Sequence, residues 1–156
     1  MITCTFEDGG KGKLRHVVVD AIVLKNNSLL MVKRSKNLVQ GEKWGIVGGF
    51  AERDETLKKA VSREVFEETG YKLKTINFFT VIDIPNRKNE DRQNIAFIYI
   101  CEAGEKEGKS DLESTEQKWF DLNNLPKEEQ IAFDHYQIIK LYLKNKSTAF
   151  PKLVNY

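Results

Sequence analysis

The sequence holds little cysteine, no long apolar run and almost no net charge, and each absence narrows what it can do. Cys4 and Cys101 are the only thiols in 156 residues. Two scattered cysteines without metal-ligand spacing read as reduced thiols of a cytoplasmic chain. No stretch approaches the roughly 20 apolar residues that cross a bilayer, so no membrane association is expected. The N-terminus lacks a basic region followed by an apolar one, so no signal peptide is expected either. Against 25 basic residues stand 23 acidic ones, a net charge of +2. That is too small to argue for a nucleic-acid surface, and nucleic acid is not expected as a partner. No internal repeat and no low-complexity segment is present. With 40% hydrophobic and 31% charged residues, the chain reads as one globular domain over 1–156, long enough to bury a single core.

Residues 1–13 end in Gly9-Gly10-Lys11-Gly12-Lys13 and read as a loose lead-in. HVVVDAIVLK, His16 to Lys25, is β-branched and mostly apolar, as a strand buried on both faces should be. Asn26-Asn27 turns the chain into a second strand, Ser28 to Arg34. Lys33, Arg34 and Lys36 at its far end are either a solvated strand end or a basic rim. Trp44 to Phe50 is a short strand, with Trp44 read as core ahead of base stacking. Lys72 to Ile84 is one long or two broken strands, Gln93 to Ala103 another, and Thr115 to Leu122 the last. Pro126 is placed to open a helix. Asp134 to Asn145 carries apolar residues at 138, 139, 141, 142 and 143, the pattern of a helix packed on a sheet. The tail over 147–156 either docks on a partner subunit or is a loose end. The order of elements predicts an α/β fold, an α/β/α sandwich around a mixed β-sheet.

The remaining stretch, Gly48 to Tyr71, reads GGFAERDETLKKAVSREVFEETGY. A helix from about Thr56 to Thr69 puts Leu57, Ala60, Val61, Glu64, Val65 and Glu68 on one stripe at i, i+3, i+4, i+7 spacing. Two of those core-facing positions hold carboxylates, and Glu67 flanks them. Three carboxylates gathered on one side of a helix repel each other and resist desolvation unless a cation sits among them. Hard oxygen donors with no His or Cys nearby suit Mg²⁺ or Mn²⁺ better than zinc. Asp54 is placed to cap the helix, and Gly70 to end it.

Gly49, five residues, Glu55, seven residues, then Arg63-Glu64-Val65-Phe66-Glu67-Glu68-Thr69-Gly70-Tyr71 resembles the Nudix box, G-x5-E-x7-R-E-U-x-E-E-x-G-U, over 23 residues. Two departures stand out. The final bulky aliphatic is Tyr71, and Ile46-Val47-Gly48-Gly49 replaces the common Leu-Pro-Gly-Gly, a change expected to loosen the start of the loop. The resemblance implies the Nudix fold and a metal-dependent hydrolase. It implies Glu64 and Glu68 as metal ligands, Glu67 as a supporting one and the Gly48 carbonyl as a further contributor, with Mg²⁺ (or Mn²⁺) as the ion. Such an ion neutralises diphosphate oxygens and lowers the pKa of a bound water. Glu64 can then act as base. In several relatives the base comes from a later loop, for which Glu113 and Glu116 are the candidates, although each also reads as a surface acid. Arg63, beside three carboxylates, is read as orienting them, and Glu55 as bracing the loop or reaching metal only through water. Gly49 supports a close approach of ligand to backbone.

The substrate implied is a nucleotide-type small molecule, a nucleoside diphosphate linked to something else. VIDIPNRKNEDRQNIA, Val81 to Ala96, looks like the V-x-D-x-P-x-R segment of ADP-ribose pyrophosphatase-type members, and Ala132-Phe133-Asp134-His135 like their A-F-D-H. Arg87 and Arg92 would bind the terminal ribose phosphate or its neighbour, and Arg34 would belong to the basic rim. Read alone, Phe133-Asp134 is a helix staple and cap, and His135 a surface or capping histidine. ADP-ribose or a related nucleotide sugar leads. A nucleoside triphosphate, including an oxidised one, is the alternative, and a non-catalytic ligand sensor is the reading from another class. Homodimers are frequent among relatives, so the resemblance also implies a dimer.

Overall fold

The computed structural model describes residues 1–85, 92–108 and 114–146. Its centre is the strand predicted from HVVVDAIVLK, β3 (His16–Lys25), whose six residues from Val18 to Val23 are all buried. Asn26, at φ 54°, turns it into β4 (Ser28–Arg34), with Leu24 opposite Leu29. β5 (Trp44–Gly45) pairs with β4, and β6 (Val47–Phe50) pairs with β3. After helix α1 (Leu57–Thr69) come β7 (Tyr71–Ile82), β8 (Asn94–Lys106) and β9 (Ser114–Asp121), then α2 (His135–Asn145). β8 runs parallel to β3 and antiparallel to β7, and β9 lies antiparallel to β4, so the sheet is mixed.

Alternation along β3 divides the interior in two. Val19, Ala21 and Val23 pack with Ala60, Val61 and Val65 of α1. Val18 and Ile22 pack with Ile138 and Ile139 of α2 on the opposite face. This is the predicted α/β/α sandwich. Each fully buried Val or Ile of these two layers contributes about 1.5–3 kcal/mol over an exposed one.

Several details differ from the sequence reading. Part of the lead-in is a hairpin, β1 (Ile2–Thr5) against β2 (Lys11–Leu14), closed by Gly9 at φ 84° and by Phe6 and Gly10 sharing a turn hydrogen bond of 2.7 Å. Thr56, not Asp54, caps α1: its Oγ1 accepts from Lys59 N, while Asp54 sits in the left-handed region at φ 68°. Pro126 opens no α-helix; a single 3-10 turn, Glu128–Gln130, precedes α2. Asp134 precedes α2 without a side-chain capping bond. Val47, which replaces the expected proline, is fully buried in the β3–β6 ladder opposite Ala21, so the start of the loop is anchored rather than loosened. Tyr71 has its own use at the box end: its hydroxyl accepts from Trp119 Nε1 at 3.3 Å, and the rings meet edge-on. Trp44 belongs to the core, edge-on to Phe120. The tail over 147–156 lies outside the described residues.

Candidate active site

Gly70 ends α1 as expected, at φ 74° with its N–H on Phe66 O. Ala60, Val61 and Val65 seat the helix on the sheet, and that seating turns Glu64, Glu67 and Glu68 toward a cleft of about 540 Å³. Glu64 lies with its carboxylate where a Cβ on Gly49 would be, and Gly48 lies against Val19 O with no space for a side chain. Neither glycine has a positive φ. Close approach is what excludes a larger residue at both positions.

The cation among the carboxylates is Arg63. Its Nη2 donates to Glu55 Oε1 at 2.8 Å and its Nε to Glu55 Oε2 at 3.3 Å, a two-pronged hold on one carboxylate. Nη1 donates to Glu64 Oε1 at 2.8 Å and Glu67 Oε2 at 3.0 Å, and Nη2 also reaches the Phe50 carbonyl at 2.9 Å. One guanidinium thus ties the box loop to the helix face. Hydrogen bonds from Arg63, then from Glu52 N–H, hold the Glu55 carboxyl below its ordinary range. The same carboxylates, Glu55 foremost, push the Arg63 guanidinium further up, so it stays charged throughout. Glu55 thus bonds within the loop, to Glu52 N, and to the helix through Arg63.

Arg34 and Arg92 both line the cleft. The Arg34 guanidinium stacks over Phe133 at 4.9 Å and its Nε donates to Val39 O at 2.9 Å. Arg92 stacks over Phe50 at 5.3 Å. Of the expected basic rim, Lys33 and Lys36 are not among the cleft-lining residues. Glu116 is exposed on β9 opposite Lys33 and is likewise not in the cleft lining: Val32 and Arg34 on either side of Lys33 line it, and alternation along the strand turns the Lys33–Glu116 pair away. Arg87 and Glu113 lie outside the described residues.

Sequence reasoning missed Asp20 and misjudged His135. Asp20 is 7% exposed, lines the cleft and stands opposite Gly48, where a Cβ would meet its Oδ1 at 2.5 Å. In sequence it is one carboxylate in a run otherwise suited to burial on both faces, which by itself does not separate a site residue from a tolerated exception. His135 is no surface histidine. It is 7% exposed, and its Nδ1 accepts from Ile46 N at 3.2 Å.

Among the described residues, no three His, Cys, Asp or Glu side chains form a cage for a metal by themselves. The donor set nevertheless fits a hard divalent ion. Glu64 and Glu68 stand one helical turn apart and line the cleft together with Gly48 and Asp20, and every donor is oxygen.

The NUDIX domain profile matches residues 14–142. An ADP-ribose pyrophosphatase of Methanocaldococcus jannaschii is 39% identical over 131 residues, covering 84% of this chain and 75% of that protein. The structure of a bifunctional NMN adenylyltransferase/ADP ribose pyrophosphatase from Francisella tularensis, complexed with AMP and a Mn ion, superposes with a TM-score of 0.67 at 28% identity, over 86% of this chain and 42% of that one. The NUDIX domain of Shewanella oneidensis NrtR, complexed with ADP ribose, gives a TM-score of 0.73 at 23% identity, over 86% and 90% of the two chains. Box, sandwich and profile agree: this chain belongs to the Nudix family of hydrolases.

Proposed function

We propose that the protein hydrolyses the diphosphate of ADP-ribose, or of a closely related nucleoside diphosphate sugar, in a reaction that depends on Mg²⁺ or Mn²⁺. The observation that carries this reading is the make-up of the cleft. Carboxylates tied to one arginine, two arginine-covered aromatic rings and a buried histidine line it together. The 39% identity to an archaeal ADP-ribose pyrophosphatase supports the choice of sugar nucleotide. Glu64, Glu68 and the Gly48 carbonyl would hold the ion, with Glu67 in support, and the bound ion would offset diphosphate charge and lower the pKa of a water.

The chain's own residues do the rest. Arg63 fixes the directions of Glu64 and Glu67, which reduces the motion needed to reach a reactive arrangement. Glu64, largely buried at 14% side-chain exposure, would take a proton from the attacking water. Arg92 and Arg34 bring positive charge to the substrate's phosphates from the cleft walls. The unlinked Cys4 and Cys101 favour a reducing compartment such as the cytoplasm.

The test is a product assay with Mg²⁺ in which ADP-ribose, nucleotide sugars, NADH, diadenosine polyphosphates and nucleoside triphosphates compete, with Glu68→Gln as control. The expected result is AMP from ADP-ribose ahead of all others, reduced by orders of magnitude in the variant. Pyrophosphate from a triphosphate as the dominant product would overturn the substrate assignment.

A further inference from the structure

We infer that His135 reads the nucleoside half of the substrate, as a neutral hydrogen-bond donor held in the wall of the cleft that the box carboxylates also line. This rests on the nucleotide reading above and deepens it. The first observation is the bond from Ile46 N–H to Nδ1 at 3.2 Å. A ring nitrogen that accepts from a backbone N–H carries no proton, so the neutral ring keeps its proton on Nε2, which is a donor. The ring is buried, yet it belongs to the cleft lining.

The ring is also fixed in place. Phe133 meets it edge-on at 5.4 Å. Phe133 itself adopts φ 53°, a conformation a bulky residue rarely takes. Arg34 covers the Phe133 ring and is itself held by its Nε donating to Val39 O. At Gly45 the absent side chain gives the imidazole its space, since a Cβ there would lie 3.2 Å from Nδ1. Strain at Phe133 and the glycine at 45 both serve to hold one imidazole in one orientation.

The third observation is spacing. Along the run Trp44–Phe50, three glycines each face one polar side chain: Gly45 faces His135, Gly48 faces Asp20, and Gly49 faces Glu64. Gly45 and Gly49 are four residues apart, so they stand no more than roughly 13 Å from each other. A nucleoside joined to its diphosphate can span such a distance. Val18, Val32, Leu38, Val39 and Ile46 line the cleft with apolar surface, which suits a flat neutral base with acceptor ring nitrogens better than a phosphate. Asp20, Arg34, Glu52, Arg63, Glu64, Glu67, Glu68 and Arg92 are the charged groups that share this cleft with the ring. A protein donor matched to an acceptor on the base discriminates against nucleosides that lack it.

The experiment pairs two substitutions with imidazole NMR. His135→Asn keeps an acceptor for Ile46 N–H but removes the distal donor, and His135→Gln carries an amide donor toward the place of Nε2. On ADP-ribose with Mg²⁺, His135→Asn should raise KM about tenfold with little change in kcat, the loss of one hydrogen bond to bound substrate. His135→Gln should recover most of it. In the wild type, ¹⁵N spectra should show a neutral ring protonated on Nε2, and AMP, but not ribose 5-phosphate, should shift that Nε2–H. A ring protonated on Nδ1, an equal response to ribose 5-phosphate, or an unchanged KM in His135→Asn would each overturn the inference. Should the wild type cleave a triphosphate instead of ADP-ribose, only the substrate assignment falls. The variants are then compared on that nucleotide, and the AMP titration stands as before.

Discussion

Gly49 shows how much a single residue of the box decides, because the Glu64 carboxylate lies where its Cβ would be. Gly49→Ala must push Glu64 away from the cleft or move the β6 backbone. Since misplacement of about 1 Å can cost 10²-fold in rate, turnover should fall about that far while near-UV circular dichroism stays native-like. A variant with wild-type kcat would mean that Glu64 need not stand there. Arg63 and Glu55 give a second prediction at this scale, through pH. The Glu55 carboxyl is held below its ordinary value of 4.5, chiefly by Arg63. A carboxylate with a depressed folded pKa adds stability that is complete above its unfolded value and lost as pH falls through the folded one. Glu55→Gln should therefore lose less stability than the wild type on acidification below about 4.5, as read by urea midpoints across that range. Parallel pH profiles for the two proteins would remove Glu55 from the list of groups that sense acid.

Elements were legible where sequence pattern and burial agree. β3 came out with its observed bounds because a strand covered by helices on both faces is apolar at nearly every position. α1 was visible because its apolar stripe and its terminal glycine point the same way. The hairpin β1–β2 was missed for the converse reason. Its residues are exposed apart from Cys4 and Gly12, so no alternation marks it, and its glycines read as looseness rather than as a turn. The box carboxylates were legible from spacing alone. Asp20 was not, since one acid in an apolar strand is indistinguishable in sequence from a tolerated exception, and only the β3–β6 register brings it to Gly48. Which residue caps α1 was also misjudged, and the structure turns that into a test. Thr56→Ala removes the Oγ1 acceptor for Lys59 N and should lower stability by about 1 kcal/mol. Asp54→Ala removes no capping bond and should cost little. The opposite order in thermal melts would place the cap on Asp54 after all.

For the molecule as a whole, the cleft matters because it draws on both layers of the sandwich. Glu64, Glu67 and Glu68 come from α1 on one face of the sheet, and His135 comes from α2 on the other. A ligand that spans the cleft therefore couples the two layers. Binding to the folded state alone raises stability by RT ln(1 + [L]/Kd), about 2.7 kcal/mol at a hundredfold excess over Kd. For a chain of this size that corresponds to a rise in Tm of roughly 5–10 °C. Mn²⁺ with AMP should produce such a rise in the wild type, and EDTA should reverse it. Glu68→Gln should melt at or above the wild-type temperature without metal, because one of the clustered charges is gone, and should lose most of the rise when metal and AMP are added. The two halves of that result separate a ligand from a structural residue. If Glu68→Gln unfolded at ordinary temperature, the carboxylate stripe of α1 would be part of the scaffold; if it kept the full rise, the ion would be held without Glu68.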